Sequence, residues 1–229
     1  MALILQIETS TSACSVALSN NGKSLAVKEK VEQNIHASHI TLFIDEVMKK
    51  ASVDYSDLSA VAVSKGPGSY TGLRIGVSTA KGLSYALDIP LIAVDTLYSM
   101  ASGFFHTHQV EIKENTLLCP MIDARRMEVY MALFDHKLQC VEPVQAKILE
   151  SGFFDHYLEN KEIVFFGDGA FKVKSLYPEN PNIIFAEFHN SAANLTEVAF
   201  GKFKNMDFED VAYFEPFYLK DFIAGKAKG

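Results

Sequence analysis

Cysteine is scarce in this 229-residue chain: Cys14, Cys119 and Cys140 are the whole supply, odd in number and set in apolar runs. That spacing excludes a disulfide framework or a thiolate zinc site and fits buried free thiols in a reducing compartment. Long apolar runs are missing too. No stretch reaches membrane-spanning length, and no basic N-terminal region leads into an apolar one. A cytoplasmic protein with no membrane partner is expected. Positive charge is also short. With net charge −7 and a pI of about 5.5, the chain alone is a poor match for a phosphate backbone. Any contact with nucleic acid should run through a complex that supplies the field. No nucleophile–base arrangement or nucleophile elbow stands out.

What is present is ordinary for a globular protein: 48% hydrophobic and 21% charged residues, enough for one or two cored domains. One stretch is unusual. Gly66-Pro67-Gly68-Ser69-Tyr70-Thr71-Gly72-Leu73-Arg74-Ile75-Gly76 follows the strand-like run 60–64 and leads into a helix over about 71–87. Gly66 and Gly68 allow a tight turn, and Ser69 or Thr71 can cap the helix. Within the helix, Gly72, Gly76 and Ala80 recur every fourth residue and share one face. Each glycine costs about 1 kcal/mol in helix propensity, so the smooth groove has a use: it receives either a helix of this chain or one of a partner.

The chain reads as the same layout twice. The first half has strand-like runs at 3–9, 14–19 and 24–32, with the hairpin signal Asn21-Gly22 between the last two. An amphipathic helix over 36–51 follows, with Ile40, Phe43, Ile44 and Val47 in period. The glycine turn, its helix, a strand at 91–94 and a helix over 96–105 complete it. The second half offers strands at 117–122, 128–134 and 137–144 and a helix over 148–158. After these come a strand at 163–166 ending in Gly167-Asp168-Gly169, a short helix, a strand at 183–185 and a helix over 192–203. Each half is βββαβαβα. Ile7-Glu8 and Ala17-Leu18 recur 115 residues on as Ile122-Asp123 and Ala132-Leu133, which supports duplication. Two mixed-sheet α/β lobes are expected, 1–105 and a reduced 106–229, with Glu8 and Asp123 at the mouth of the cleft between them. The segment 225–229 reads as a frayed tail.

The doubled order resembles the actin, hexokinase and acetate-kinase type of ribonuclease H-like fold (the ASKHA superfamily). Four motifs are more specific: Ile7-Glu8-Thr9-Ser10, the stretch from Gly66 to Gly76, Ile122-Asp123-Ala124-Arg125-Arg126-Met127-Glu128-Val129-Tyr130, and Gly167-Asp168-Gly169-Ala170. Together they resemble the TsaB (YeaZ) family. Pro216-Phe217-Tyr218-Leu219-Lys220 near the end is also similar. The resemblance implies a non-catalytic part in making threonylcarbamoyladenosine, the modified adenosine beside the anticodon of tRNA. It implies pairing with the catalytic paralogue TsaD, joined by the ATPase TsaE, contact with tRNA only through that complex, and a homodimer when the partner is missing. No cofactor is implied on the isolated chain; ATP and magnesium belong to the assembled complex. The competing reading is a nucleotide-dependent phosphotransferase or a metalloprotease of the same superfold acting alone.

The resemblance also sorts residues. Where the catalytic paralogue carries two metal-binding histidines four apart, this chain has Thr96 and Met100, which do not hold a hard divalent ion. No metal is expected. A partner interface is expected on the two first-lobe helices, from His39, Ile40 and Phe43 and from Gly72, Leu73, Gly76, Val77 and Ala80. A vestigial nucleotide cleft is expected around Glu8, Ser10, Asp123, Arg125, Gly167 and Gly169. Glu8 and Asp123 either hold a magnesium–nucleotide or accept hydrogen bonds from turn amides. The other two arginines, Arg74 and Arg126, complete the three in the chain. Arg125 and Arg126 either meet an anion or pair with Asp123 or Glu128.

Overall fold

The computed structural model describes residues 1–108 and 110–220; the segment 225–229 lies outside them. The first half runs β1 (Leu3–Glu8), β2 (Ala13–Asn20), β3 (Lys23–Val31), α1 (His36–Ala51), β4 (Ala60–Gly66), α2 (Tyr70–Leu87), β5 (Leu91–Asp95) and α3 (Thr96–Thr107). The second runs β6 (Thr116–Asp123), β7 (Glu128–Phe134), β8 (Cys140–Ile148), α4 (Asp155–Leu158), β9 (Glu162–Phe166), α5 (Phe171–Lys174), β10 (Ile183–Ala186) and α6 (Thr196–Lys204). The two sheets have one topology, β3-β2-β1-β4-β5 and β8-β7-β6-β9-β10. In each, the first strand pairs antiparallel with the second and parallel with the fourth. The duplicated βββαβαβα order is therefore what the chain forms.

Local chemistry accounts for many boundaries. Asn21 and Gly22 both have positive φ, 49° and 76°, the turn that matches the twist of a two-residue hairpin. Ser69 Oγ accepts from the Gly72 N–H at 3.3 Å and starts α2, and Asp95 accepts from the Tyr98 N–H at 3.1 Å and starts α3. One expected helix is reduced to a single turn. Over 148–158, β8 continues to Ile148, paired with Glu128, and only Asp155–Leu158 is helical. Gly152, at φ 86°, turns the chain so that Phe154 plugs the second core. The apolar spacing there served a buried turn rather than a helix face.

The cores do not divide where the sheets do. After β5, α3 crosses to the second sheet, where Leu97, Met100 and Phe104 pack with Leu118, Val164 and Phe166. The chain then returns. Leu195 and α6 residue Ala199 pack on Ile4, Ala60, Ile92 and Val94 of the first sheet. A cut at 105/106 separates the sheets but leaves each without one of its covering helices. Beyond α6 the chain straps back over α2. Lys81 Nζ donates to the carbonyls of Ala212 (3.2 Å) and Phe214 (2.8 Å), and the Phe217 N–H donates to the Lys65 carbonyl at 2.7 Å.

Candidate functional site in the interlobe cleft

The β1–β2 and β6–β7 turns face each other across a cleft of about 1230 Å³, with the start of α2 on one wall. The two turns are built alike. The Ser10 N–H donates to Glu8 Oε1 at 2.6 Å, and the Arg125 N–H donates to Asp123 Oδ1 at 2.6 Å. The duplication is thus legible at the level of single hydrogen bonds: each acid closes its own turn.

The acids then diverge. Glu8 is fully buried, under the turn rather than at the cleft mouth. Burial pushes its carboxyl above the ordinary carboxylate range, against the opposing pull of Ser10, Ser64 and Asn190. Asn190, in the segment between the two cores, donates to Ser10 Oγ at 3.1 Å and closes the turn from behind. Asp123 is exposed, and it already has a cation. The buried Lys172 of α5 donates from Nζ to Asp123 Oδ1 at 2.8 Å and to the Glu128 carbonyl at 2.7 Å. Asp168 accepts from the Asp123 N–H at 2.9 Å, and burial first, with the nearby Asp123 charge, raises its carboxyl. Glu128 is paired with Lys220 at 2.5 Å. Of the two readings of Glu8 and Asp123, acceptance from turn amides is the one the chain forms, and the two acids make no facing pair.

The glycines are filled from within. A Cβ on Gly72 would run into the Thr9 carbonyl, one on Gly76 into Thr9 Oγ1, and one on Gly68 into the Ser10 carbonyl. The Ser69 N–H donates to the Ser10 carbonyl at 2.6 Å. Gly167 and Gly169 repeat the arrangement in the second lobe. Their missing side chains admit the backbone of Met121 and Ile122, and the Gly169 N–H donates to the Met121 carbonyl at 3.2 Å. These turns hug the first strand of their own lobe instead of lying open to a phosphate. The nucleotide and metal implied by the superfold do not fit: one acid is sealed, the other carries an ammonium, and the glycine cradle holds protein.

The expected partner groove is corrected on the same ground. Gly72, Gly76 and Ala80 face β1, not solvent. Ile40, Phe43, Leu73 and Val77 are core residues, each at most 4% exposed. Of the residues proposed for that interface only His39 reaches the surface; it is bonded to Ser38 Oγ at 2.8 Å and set edge-on to Phe43. The outward faces carry other residues. On α1 Leu42 is 56% exposed, and on α2 Tyr85 is 84% exposed. Ser78, Gly82 and Ala86 form a second small-residue row on α2, exposed to solvent, and a Cβ on Gly82 would meet nothing within 4 Å.

Thr96 and Met100 have structural work. Thr96 Oγ1 accepts from the Gly66 N–H at 3.1 Å, and Met100 packs with Leu118 and Phe166 beneath α3. Among the described residues, no three His, Cys, Asp or Glu side chains are grouped to hold a metal. Sequence reasoning missed Lys172 and Asn190. Each finds its partner across more than 40 residues of chain, and neither sits in a motif. The signal that was available is the second Gly-x-Gly after a fourth strand, which repeats Gly66-Pro67-Gly68 and marks α5 as the counterpart of α2.

Comparison with known proteins places the chain. A family profile described as "TsaD: tRNA N6-adenosine threonylcarbamoyltransferase" matches residues 27–227. The chain belongs to the TsaD family, in its TsaB (YeaZ) branch. It is 38% identical over 129 residues to the tRNA threonylcarbamoyladenosine biosynthesis protein TsaB of Haemophilus influenzae, covering 56% of this chain and 52% of that protein. It is 35% identical over 141 residues to the TsaB of Bacillus subtilis, covering 62% and 58%. The match thus spans about half the length of the curated TsaB relatives. The solved structure of YeaZ from Pseudomonas aeruginosa superposes with a TM-score of 0.78 at 25% identity, covering 96% of this chain and all of that one. An activator of 2-hydroxyisocaproyl-CoA dehydratase from Clostridium difficile (TM-score 0.52, 10% identity, covering 91% and 98%) shares the fold alone. These neighbours establish the two-lobed ribonuclease H-like architecture of this chain.

Proposed function

We propose that this chain is a non-catalytic subunit required for placing threonylcarbamoyl on the adenosine beside the anticodon of tRNA. Membership of the TsaD family with a TsaB-like sequence supports the pathway. The observation that carries the non-catalytic role is the state of the cleft: each strand-end acid accepts from its own turn amide, Glu8 is sealed from the cleft, and Asp123 is paired with Lys172. The chain acts by pairing with a TsaD-type paralogue, and a TsaE-type ATPase joins the pair. The outward faces of α1 and α2 supply the contact. Leu42 and Tyr85 are apolar anchors, and the Ser78/Gly82/Ala86 row admits a close helix. A second copy of the chain can occupy the same surface when the paralogue is missing.

Reconstitution tests the reading. With tRNA, threonylcarbamoyl-adenylate and the TsaD- and TsaE-type proteins, modified tRNA is expected only when this chain is present. Full modification without it, or turnover by the chain alone, overturns the proposal.

A further inference from the structure

Two of the three arginines of this acidic chain line the cleft, and the third lies against two of its lining tyrosines. Arg125 and Arg126 form the tip of the β6–β7 turn and line it. Arg74 sits on α2 with its guanidinium 4.6 Å from the centre of the Tyr70 ring and its Nε donating to Tyr218 OH at 3.3 Å. Tyr70 and Tyr218, both lining residues, meet at a tilt of 35° with ring centres 4.7 Å apart. Arg125 and Arg126 are exposed and hold left-handed backbone, φ 72° and 45°. That conformation is unfavourable for a non-glycine residue. A glycine would relieve the cost and lose the charge. Neither guanidinium has a hydrogen bond or ion pair among the described residues. The acids beside them are taken: Asp123 by Lys172 and Glu128 by Lys220. Their positive charge is therefore uncompensated, and the N-terminal turn of the 18-residue α2 adds the positive end of its dipole from the facing wall.

We propose that Arg125 and Arg126 bind the phosphodiester backbone of an RNA strand. The occupant follows from three features. The spent acids and filled glycine turns do not suit a metal–nucleotide. The cleft is far larger than a lone phosphate. Two adjacent arginines without an acidic partner match successive charges of a phosphodiester backbone. The inference rests on the tRNA-modification reading and assigns this chain a direct contact with the substrate.

The test is fluorescence anisotropy of labelled tRNA with the full chain at 50 and 200 mM salt. Weak, salt-sensitive binding is expected. Arg125→Gln/Arg126→Gln should weaken it at least fivefold at 50 mM and flatten the salt slope by about one to two phosphate contacts. Arg125→Lys/Arg126→Lys should restore most of it. Lys137→Gln/Lys161→Gln, which removes the same charge from exposed sites at the far end of the second sheet, should change it less than twofold. Four results overturn the site: no binding by the wild type, no loss in the glutamine pair, equal loss in the lysine control, or displacement of tRNA by micromolar magnesium–ATP. Reconstitution separates the two levels. If wild-type chain is required and the glutamine pair is fully active at limiting tRNA, only the arginine site falls; if wild-type chain is dispensable, the functional reading falls.

Discussion

At the scale of single residues, the glycines of α2 look alike in sequence and differ in what lies opposite. Gly72 and Gly76 are pressed against Thr9, whose carbonyl and hydroxyl occupy the volume of a Cβ. The obstacle at Gly72 is backbone, which cannot rotate away. Gly72→Ala is expected to cost about 2–4 kcal/mol, at or beyond the usual range for overpacking. Gly76→Leu should cost at least as much and leave little folded protein. Gly82 is exposed with open space around it, so Gly82→Ala should stabilise by about 0.5–1 kcal/mol. Urea denaturation of the three variants checks the contrast. Glu8 yields a prediction with a sign. Its carboxyl is raised above 4.5 by burial, so the folded state binds the proton more tightly than the unfolded one. Its contribution to stability is then complete below the unfolded value and falls away as pH climbs through the folded one. Glu8→Gln, which mimics the protonated acid, should gain stability relative to wild type as pH goes from 4 to 8, measured by paired melts. A constant difference across that range would sink the assignment.

Between elements, the buried ammonium of Lys172 joins α5 to β6 and β7 through Asp123 and the Glu128 carbonyl. Lys172→Met keeps the stem and removes the charge. Asp123 is 38% exposed at its side chain, so water screens what is left behind. The expected loss is about 1–3 kcal/mol, below that for a fully buried pair. The outward face of α2 belongs to this scale as well. A bulky charge at Gly82 (Gly82→Arg) should leave the melting temperature within about 2 °C, since the site is solvent-exposed. The same change should abolish co-elution with a TsaD-type partner on gel filtration. An intact complex would move the contact elsewhere on the chain.

For the whole molecule, the exchange of α3 and α6 between the sheets decides how the protein folds. Residues 1–110 made alone lack α6 and leave Ile4, Ala60, Ile92 and Val94 uncovered; residues 111–229 made alone lack α3 over Leu118 and Val164. Each half should be insoluble or molten when expressed singly, and co-expression should restore a soluble pair. Two independently cooperative halves would contradict the crossed packing. The crossed helices also fix the two β-turns across the cleft, since each lobe carries the other's cover. No helix among the described residues is long and apolar enough to cross a membrane.

Much of the architecture was legible beforehand. The strands of the first half, the bounds of α1, the Asn21-Gly22 hairpin and the doubled layout depend on periodicity and turn chemistry that act over a few residues. The chain alone therefore determined them. It also determined that Gly72, Gly76 and Ala80 share a face, because the helical period does so. What stands opposite that face was left to tertiary structure: Thr9, more than 60 residues earlier in the chain, occupies the space once kept for a partner. The burial of Glu8, the pairing of Asp123 with Lys172 and the crossing of α3 and α6 have the same origin. Each depends on groups distant along the chain that only the packed sheets bring within a few ångströms, and no local pattern encodes that distance.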